Sequence, residues 1–557
     1  MSFRKNTMAM ALCMAMAASS LAACGNNEQA QTPSGESSAD AQSSAGTADT
    51  SGSADASGAD SSADSSTDGQ NGAAAGNYNV TWEDIVDVNM MYLATSTIPS
   101  GLGDVEDAIN EITEAEANIH VNLEMVEVAS YAQQVSLRMA SSEPVDLLLT
   151  MPMDAASYTS MQAQNQLMDI TDLLDEYGTD IKEILGDKLK GTSANGRVYG
   201  VPGNRTYVIS TWVIMRTDVL EDLGLLEKAE NMTSMDEYEE ILEAVTSSEK
   251  WGNLAGMVSS DGQGTCLGIN PGYLATDSFE TAGCYDSLGD NNFLVSINPD
   301  GSETQIENSY ATEDFKAIYE KMHDWYEKGY VYKDTATNAE MAESLVKSGV
   351  AFSYIGNCEE GVETLKSIGC GMPMTCVKVK TYPVTTSSLT KFVWTIPNSA
   401  KEPEAAVTFL DMMFTDSRIA NLLTWGIEGR DYEVVDGEAC YVNGEEGAYH
   451  SDDFLFGNQF ITLPWQGDGA DFRERCAEVE AAGTVSKYLG FTADTSSVSN
   501  EIGAVTNVIA EYKGQVHTGS CDSETFDEFL KKLEDNGAQK IIDCYQEQLD
   551  EWLAQQQ

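Results

Sequence analysis

VDVNMMYLATSTIPSGLGDVEDAINEITEAEANIHVNLEMVEVASYAQQVSLRMASSEPVDLLLT, residues 86–150, is the stretch that decides the fold. Val86 to Leu93 reads as a buried strand, and Thr95 to Gly103 as a Thr/Ser/Pro/Gly loop. Val105, Ile109, Ile112 and Ala115 then recur at helical spacing. From Ile119 to Val128 apolar residues alternate with polar ones, a second strand. Tyr131 to Ala140 is helical, and Val145 to Thr150 is a short apolar strand ending at Met151-Pro152. Strand, helix, strand, helix, strand specifies an α/β fold built on a parallel sheet with helices on both faces. Ligands of such sheets sit beyond the carboxyl ends of the strands, which directs attention to Ala94–Gly103 and Met151–Tyr158.

Further along, Leu167 to Leu174 and Ile181 to Leu189 read as helices, and Tyr207 to Met215 as a strongly β-prone run. Helices are expected at Asp236 to Thr246, Thr312 to Lys328 and Ala339 to Lys347, and a strand at Val350 to Tyr354. Leu294 to Ile306 reads as a hairpin around Asn298-Pro299-Asp300-Gly301; its spacing fails a calcium loop. Glu404 to Phe414 and Arg418 to Leu423 are helical. Ile541, Tyr545, Leu549 and Trp552 share one face of a terminal amphipathic helix that packs on the body.

The N-terminus tells where the chain works. Arg4 and Lys5 precede an apolar stretch from Met8 to Ala18, and small residues lead to Leu21-Ala22-Ala23-Cys24. This is a secretory signal, too short for a spanning helix of ~20 apolar residues. The Leu-Ala-Ala-Cys ending resembles the bacterial lipobox, which implies cleavage after residue 23 and a diacylglyceryl group on Cys24. Two acyl chains hold durably where one is marginal. The segment 24–77 is almost wholly Ser, Ala, Gly, Asp, Gln and Thr, with no aromatic or basic residue. It cannot bury enough apolar surface to offset its ordering entropy, so it is read as a disordered tether reaching roughly 40 Å.

Composition removes several functions. The 557 residues hold 30 basic and 90 acidic side chains, a net charge of −60. Nucleic acid is not an expected partner, since phosphate binding needs basic patches. Of eleven cysteines, setting aside Cys13 and Cys24 leaves nine, scattered from Cys266 to Cys544 with no CxxC pair. Cys370 and Cys376 are near enough in sequence to bridge, but free buried thiols are the preferred reading. The four histidines lack zinc spacing, and no metal or other cofactor is expected.

Several segments together resemble the solute-binding lipoproteins of bacterial ABC importers, in particular a Gram-positive subgroup taking up complex oligosaccharides. Tyr199-Gly200-Val201-Pro202, followed by Trp212 and the Arg216/Asp218/Leu220/Leu223-Gly224-Leu225 helix start, is similar to the family's crossover into its second lobe. Ser348-Gly349-Val350-Ala351-Phe352 is similar to the strand returning to the first. Pro397-Asn398-Ser399 to Phe409-Leu410, Trp425-Gly426-Ile427-Glu428-Gly429 with Tyr432, and Gly490-Phe491 resemble later segments. The match covers nearly all of residues 78–557. It implies a bilobed periplasmic-binding-protein-like fold, two α/β lobes joined by a hinge, with a helical C-terminal tail. Lobe 1 would comprise 78–201 and 348–395, lobe 2 would comprise 202–347 and 396–500, and 501–557 would form the tail. It also implies a monomer, tethered to the membrane by its lipid, that hands its ligand to ABC permease subunits.

Sugars present apolar C–H faces and a rim of hydroxyls, so a cleft for them wants aromatic platforms and a few polar groups. Tyr92, Tyr158, Tyr207, Trp212, Trp425 and Trp465 fall on expected cleft loops, whereas Trp325 and Trp552 lie on helix faces that read as core. The polar candidates are Asp154, Asn204, Arg205, Asn357 and Glu428; a salt bridge across the hinge competes for Arg205, and a hydrogen bond to backbone amides for Glu428. Catalysis is not expected: there is no Gly-x-Ser-x-Gly elbow and no eightfold β/α rhythm, although carboxylates for a glycoside hydrolase abound. A surface lipoprotein binding peptide or sugar for sensing or adhesion would use the same fold.

Overall fold

The computed structural model describes residues 82–556, except 96, 142, 259–277, 280–283, 339 and 445–446. The signal, Cys24, the linker and Cys266 lie outside the described residues. β1 (Val86–Ala94), α1 (Leu102–Ala117), β2 (Ile119–Glu127), α2 (Val128–Ser141) and β3 (Leu147–Leu149) follow the order read from the sequence. β1 pairs in parallel with β2 along its whole length, Val86 with Ile119 to Ala94 with Glu127, and with β3 at Met90 and Leu147. β2 alternates buried and half-exposed residues, as an edge strand does, while β1 is buried on both faces from Met90 onward, as a central strand is.

The chain continues through β4 (Val201–Pro202), β5 (Ser210–Arg216), α3 (Met235–Thr246), β6 (Ala255–Val258), α4 (Glu313–Glu327) and β7 (Ala351–Cys358). Then come α5 (Val362–Cys370), β8 (Met374–Thr381), β9 (Val393–Thr395), α6 (Pro403–Thr415), α7 (Ser417–Trp425), β10 (Tyr432–Val435) and β11 (Glu438–Tyr441). The last helices are α8 (Phe472–Ala482), α9 (Ser499–His517), α10 (Ser523–Asp535) and α11 (Ala538–Gln555). A five-stranded sheet has the order β2-β1-β3-β9-β4, and a four-stranded one the order β8-β5-β7-β6. The backbone passes between the sheets along 203–209 and again along 382–392, and Tyr382 N–H donates to the Ile209 carbonyl where these crossings run side by side.

Strand pairing corrects the sequence reading of which segment joins which lobe. β7, expected with the first sheet, pairs antiparallel with β5 and parallel with β6 in the second. β8 joins the same sheet, and the return to the first is made only by β9, antiparallel to β3 and β4. Helices α6 and α7, expected in the second lobe, bury Val407, Phe409, Leu410, Met413 and Leu423 in the core of the first sheet. An apolar run such as Ala351–Ile355 says that a strand is buried, not which sheet buries it. Asp146 fixes α6 in place. Its carboxylate, fully buried, accepts from the Asn89 backbone and side chain at 2.9 and 2.8 Å and from the Lys401 and Glu402 amides at 2.7 and 3.2 Å.

The expected hairpin after Leu294 is realised by Val295–Ser296 paired with Glu307–Asn308. α9, α10 and α11 close a third core with Tyr310, Phe315 and Tyr319 of the segment that ends in α4, and Ile541, Tyr545 and Leu549 are buried there as their spacing requires. The eight described cysteines, Cys370 and Cys376 included, are free. Among the described residues no helix is long and apolar enough to cross a membrane.

Candidate functional site

Strand direction brings the carboxyl ends of both sheets to the crossings. Val393 pairs with Pro202, so the segments entering β9 and leaving β4 sit at the end of the first sheet where β3 finishes. Cys358 pairs with Ser210, and Thr381 does too, so β7 and β8 finish where β5 begins. The residues at these ends are Asn204, Arg205, Glu359, Lys391 and Phe392. They are joined by the 450–463 segment, whose Gln459 Oε1 accepts from the Thr206 amide at 3.1 Å and whose Asn458 Oδ1 accepts from the Asn204 amide side chain at 3.0 Å.

Charged side chains gather here. Lys188 pairs with Glu480 at 2.7 Å, and Arg473 pairs with Asp453. Glu480 also accepts the amides of Tyr207 and Val208 at 2.8 and 2.9 Å, which holds the first crossing to α8. The Arg205 guanidinium lies 4.5 Å from the Tyr207 ring centroid and 5.9 Å from those of Phe392 and Phe454. Neither Arg205 nor Lys391 forms a salt bridge among the described residues, and the buried Nε atoms of Arg205 and Arg473 have no hydrogen-bond partner. Buried donors are normally satisfied, so two orphaned guanidinium N–H groups in one junction call for an acceptor the protein does not supply. Burial pushes the Glu359 carboxyl up to about 7, against the pull of Arg205. Burial, and then the like charge of Arg205, holds the Lys391 ammonium below its usual range.

An aromatic group adjoins this charged band. The Trp465 ring stands edge-on to Trp425 at 4.6 Å and to His450 at 4.5 Å, with Tyr441 at 5.7 Å. Trp425 is fully buried and its indole N–H donates to the Leu463 carbonyl at 3.1 Å, so it supports the group from behind. Trp465 is half-exposed and presents the open surface. Burial lowers His450 to about 4, so its ring is neutral, and its Nδ1 is buried without a partner. Asp453 connects the two halves: it faces His450, pairs with Arg473 and accepts from Gln459 at 2.9 Å.

The sequence candidates therefore divide. Asn204, Arg205 and Tyr207 meet at the crossing, where the Tyr207 hydroxyl, buried, donates to the Gly203 carbonyl at 2.8 Å. Asn357 is nearby at the end of β7, its Oδ1 accepting from Thr211 at 2.8 Å. Trp425 and Trp465 form the aromatic group. The other aromatic candidates are framework in this structure, contrary to expectation. Tyr92 is fully buried against Phe456, because β1 is covered on both faces. Tyr158 is buried and donates to the Thr192 carbonyl at 2.6 Å. Trp212 is buried in the second sheet, donating to the Cys358 carbonyl at 3.1 Å. Glu428 is exposed on the turn before Tyr432. Asp154 sits in the turn after β3, at the carboxyl end of the first sheet. Sequence reasoning passed over Glu359, Lys391, Phe392, His450, Asp453, Phe454, Arg473 and Glu480. One signal for Lys391 was there: a lysine immediately before a β-prone Phe-Val-Trp run in a chain poor in lysine.

Two concavities, of about 570 Å³ beside Tyr285, Asp314 and Gln539 and about 420 Å³ beside Asn89, Glu106 and Arg138, lie away from this junction and contain none of its residues. The junction is where two unpartnered guanidinium N–H groups, of Arg205 and Arg473, come together. Among the described residues no three His, Cys, Asp or Glu side chains converge as a metal-binding group.

Comparison with known proteins agrees with the architecture. A protein of Streptococcus pneumoniae serotype 4, a carbohydrate ABC transporter substrate-binding protein, is 24% identical over 469 residues, 82% of this chain and 89% of the relative. The crystal structure of the N-glycan transport solute binding protein of S. pneumoniae superposes with a TM-score of 0.71 at 20% identity, covering 85% of this chain and 100% of that one. The same protein in complex with Man1GlcNAc gives 0.61 at 21% identity, over 84% and 99% of the two chains. Residues 487–554, spanning α9 to α11, match a domain of unknown function (DUF3502). Residues 107–427 match the family of bacterial extracellular solute-binding proteins. That match runs from within α1 to the turn after α7 and takes in every strand of the two sheets except β1, more than half of the sequence, and the chain belongs to that family.

Proposed function

We propose that this chain is the lipid-anchored extracellular receptor of an ABC importer and that it captures an oligosaccharide between its two sheets. The observation that carries the reading is the junction itself, where orphaned Arg205 and Arg473 N–H groups border a half-exposed Trp465 backed by buried rings. Hydroxyl oxygens satisfy the first and a sugar's C–H face covers the second. Names of relatives point the same way: one is a carbohydrate receptor, another an N-glycan transport protein whose structure holds Man1GlcNAc.

The cycle follows from the two crossings. Rotation about 203–209 and 382–392 opens and closes the junction, and a ligand touching both sides stabilises the closed form by its differential affinity for it. The closed form docks on permease subunits, and ATP hydrolysis belongs to a separate cytoplasmic subunit. The chain acts as a monomer, binds without transforming its ligand, and is held by acyl chains on Cys24. Asn204, Asn357 and Trp465 contact the ligand, while Trp425 and Tyr207 hold these contacts in place.

The test is a thermal-shift screen of the chain from Gly25 onward against plant, host and microbial oligosaccharides, with the sugar recovered and sized by chromatography. A ligand at a hundred times its Kd adds about 2.7 kcal/mol. A shift with intact sugar supports the reading, shortened sugar makes the protein a hydrolase, and silence on sugars with a response to peptides makes it a peptide receptor. For the anchor, Cys24→Ser should move the protein from the membrane fraction to the medium; retention in the membrane fraction refutes lipidation at that residue.

A further inference from the structure

Two cations at the junction stand outside its ion pairs. Lys188 with Glu480 and Arg473 with Asp453 are matched pairs. Arg205 and Lys391 stand outside these pairs, and the nearby Glu359 carboxyl reaches neither of them as a salt bridge. In a chain of 30 basic and 90 acidic residues, two neighbouring cations left without ion pairs are conspicuous, because carboxylates to neutralise them were available almost everywhere. Both come from the crossings, Arg205 from the first and Lys391 from the second. Arg205 lies three residues after Pro202 and Lys391 two before Val393, the partner of Pro202 at the carboxyl end of the first sheet. The guanidinium lies among three aromatic rings, nearest that of Tyr207, and its Nε has no partner. A planar donor edge beside a point cation matches a carboxylate better than a hydroxyl.

Resting on the reading of this chain as an oligosaccharide receptor, we propose that its ligand is an acidic glycan whose sugar carboxylate is gripped by Arg205 and Lys391. The neutral residues of the same glycan extend along Asp453 and His450 towards Trp465. A carboxylate in this position completes the second cation's pairing as well as the first's, since the group has two oxygens and faces both crossings. The arrangement also ties recognition to closure: each crossing contributes one cation, and the anion bridges them.

The experiment is calorimetric titration of the mature chain with matched sugars: a uronic-acid-containing oligosaccharide, a sialylated oligosaccharide, and each of them with the carboxyl group reduced to the alcohol. We expect one acid to bind roughly ten- to a hundredfold more tightly than its reduced form, as charge-assisted hydrogen bonds imply. Lys391→Gln should erase most of that preference while leaving the affinity for the reduced sugar within about threefold, whereas Arg205→Gln should erase it and weaken the reduced sugar as well. If Arg205→Gln fails to fold through loss of its aromatic contacts, Lys391→Gln decides alone. Equal or tighter binding of the reduced sugar, or a preference that survives Lys391→Gln, overturns the proposal and leaves the receptor reading standing. Absence of binding to any sugar, acidic or neutral, overturns both.

Discussion

Replacing Asp411 with asparagine should flatten the stability of this protein towards alkaline pH. Asp411 lies on α6, is 6% exposed, and accepts the Ile181 amide at 3.0 Å at the start of the helix Thr179–Leu185. Burial and then the neighbouring Asp180 carboxylate push its carboxyl from the ordinary 3.8 up to about 7. A carboxyl raised on folding is stabilising in its protonated form, so the folded state binds the extra proton between these values and loses the benefit as pH rises. Between pH 5 and pH 8 the loss amounts to roughly 2–3 kcal/mol. Asparagine keeps the acceptor for Ile181 and carries no charge to bury. Urea unfolding at both pH values should therefore show the wild type losing about 2–3 kcal/mol more than Asp411→Asn over this interval. Glu359 and Asp452, raised to about 7 and about 6, add slopes of the same sign to both proteins and cancel in the comparison. Parallel pH profiles, or a steeper one for the variant, would refute the argument.

Trp465→Ala should weaken oligosaccharide binding by about ten- to thirtyfold through loss of the open aromatic face; an unchanged Kd in titration calorimetry would exclude that face from the site. Trp325→Ala, which empties the core of the second sheet, should instead lower the melting temperature and leave Kd per folded molecule unchanged. Asp146→Ala strands the amides of Asn89, Lys401 and Glu402 and should cost about 3–5 kcal/mol in chemical denaturation; a cost below about 1 kcal/mol would show that water replaces the carboxylate.

The first sheet was legible because its segments carry strong single periods: alternation in Ile119–Glu127, helical spacing from Val105 to Ala115, and continuous apolarity in Leu147–Leu149. The terminal helix was legible for the same reason. Lobe membership was not, since the pairing of Ala351–Cys358 is decided by β5 and β6, which lie far away in sequence and offer hydrogen-bond ladders that no local pattern encodes. The aromatic candidates show a related limit. Tyr92 and Trp212 occupy strands at the correct ends of the sheets, but each points into a core, and a period of two cannot tell a covered face from an open one when both faces are covered. Arg205 was found because a basic residue after Pro202 stands out in an acidic chain. Glu359, Asp453 and Glu480 were invisible for the opposite reason, being three carboxylates among ninety acidic side chains.

Glu480 shows how the hinge and the site are made of the same atoms. One carboxylate oxygen takes the amides of Tyr207 and Val208, and the other meets the Lys188 ammonium at 2.7 Å, so α8, the first crossing and the segment before β4 converge on one side chain. The Tyr207 ring so positioned is the one on which the Arg205 guanidinium rests. Glu480→Ala removes two charge-assisted hydrogen bonds and an ion pair, and should destabilise the fold by roughly 2–4 kcal/mol. It should also weaken ligand binding although Glu480 itself touches no ligand, because the crossing that carries Arg205 loses its fixed position. Glu480→Gln retains an acceptor for the amides and should recover most of the affinity while leaving Lys188 unpaired. Titration of both variants with the same sugar separates the two effects: affinity that tracks the amide acceptor places Glu480 as the support of the crossing. Equal affinity in wild type, alanine and glutamine variants would mean that the crossing holds its shape without it.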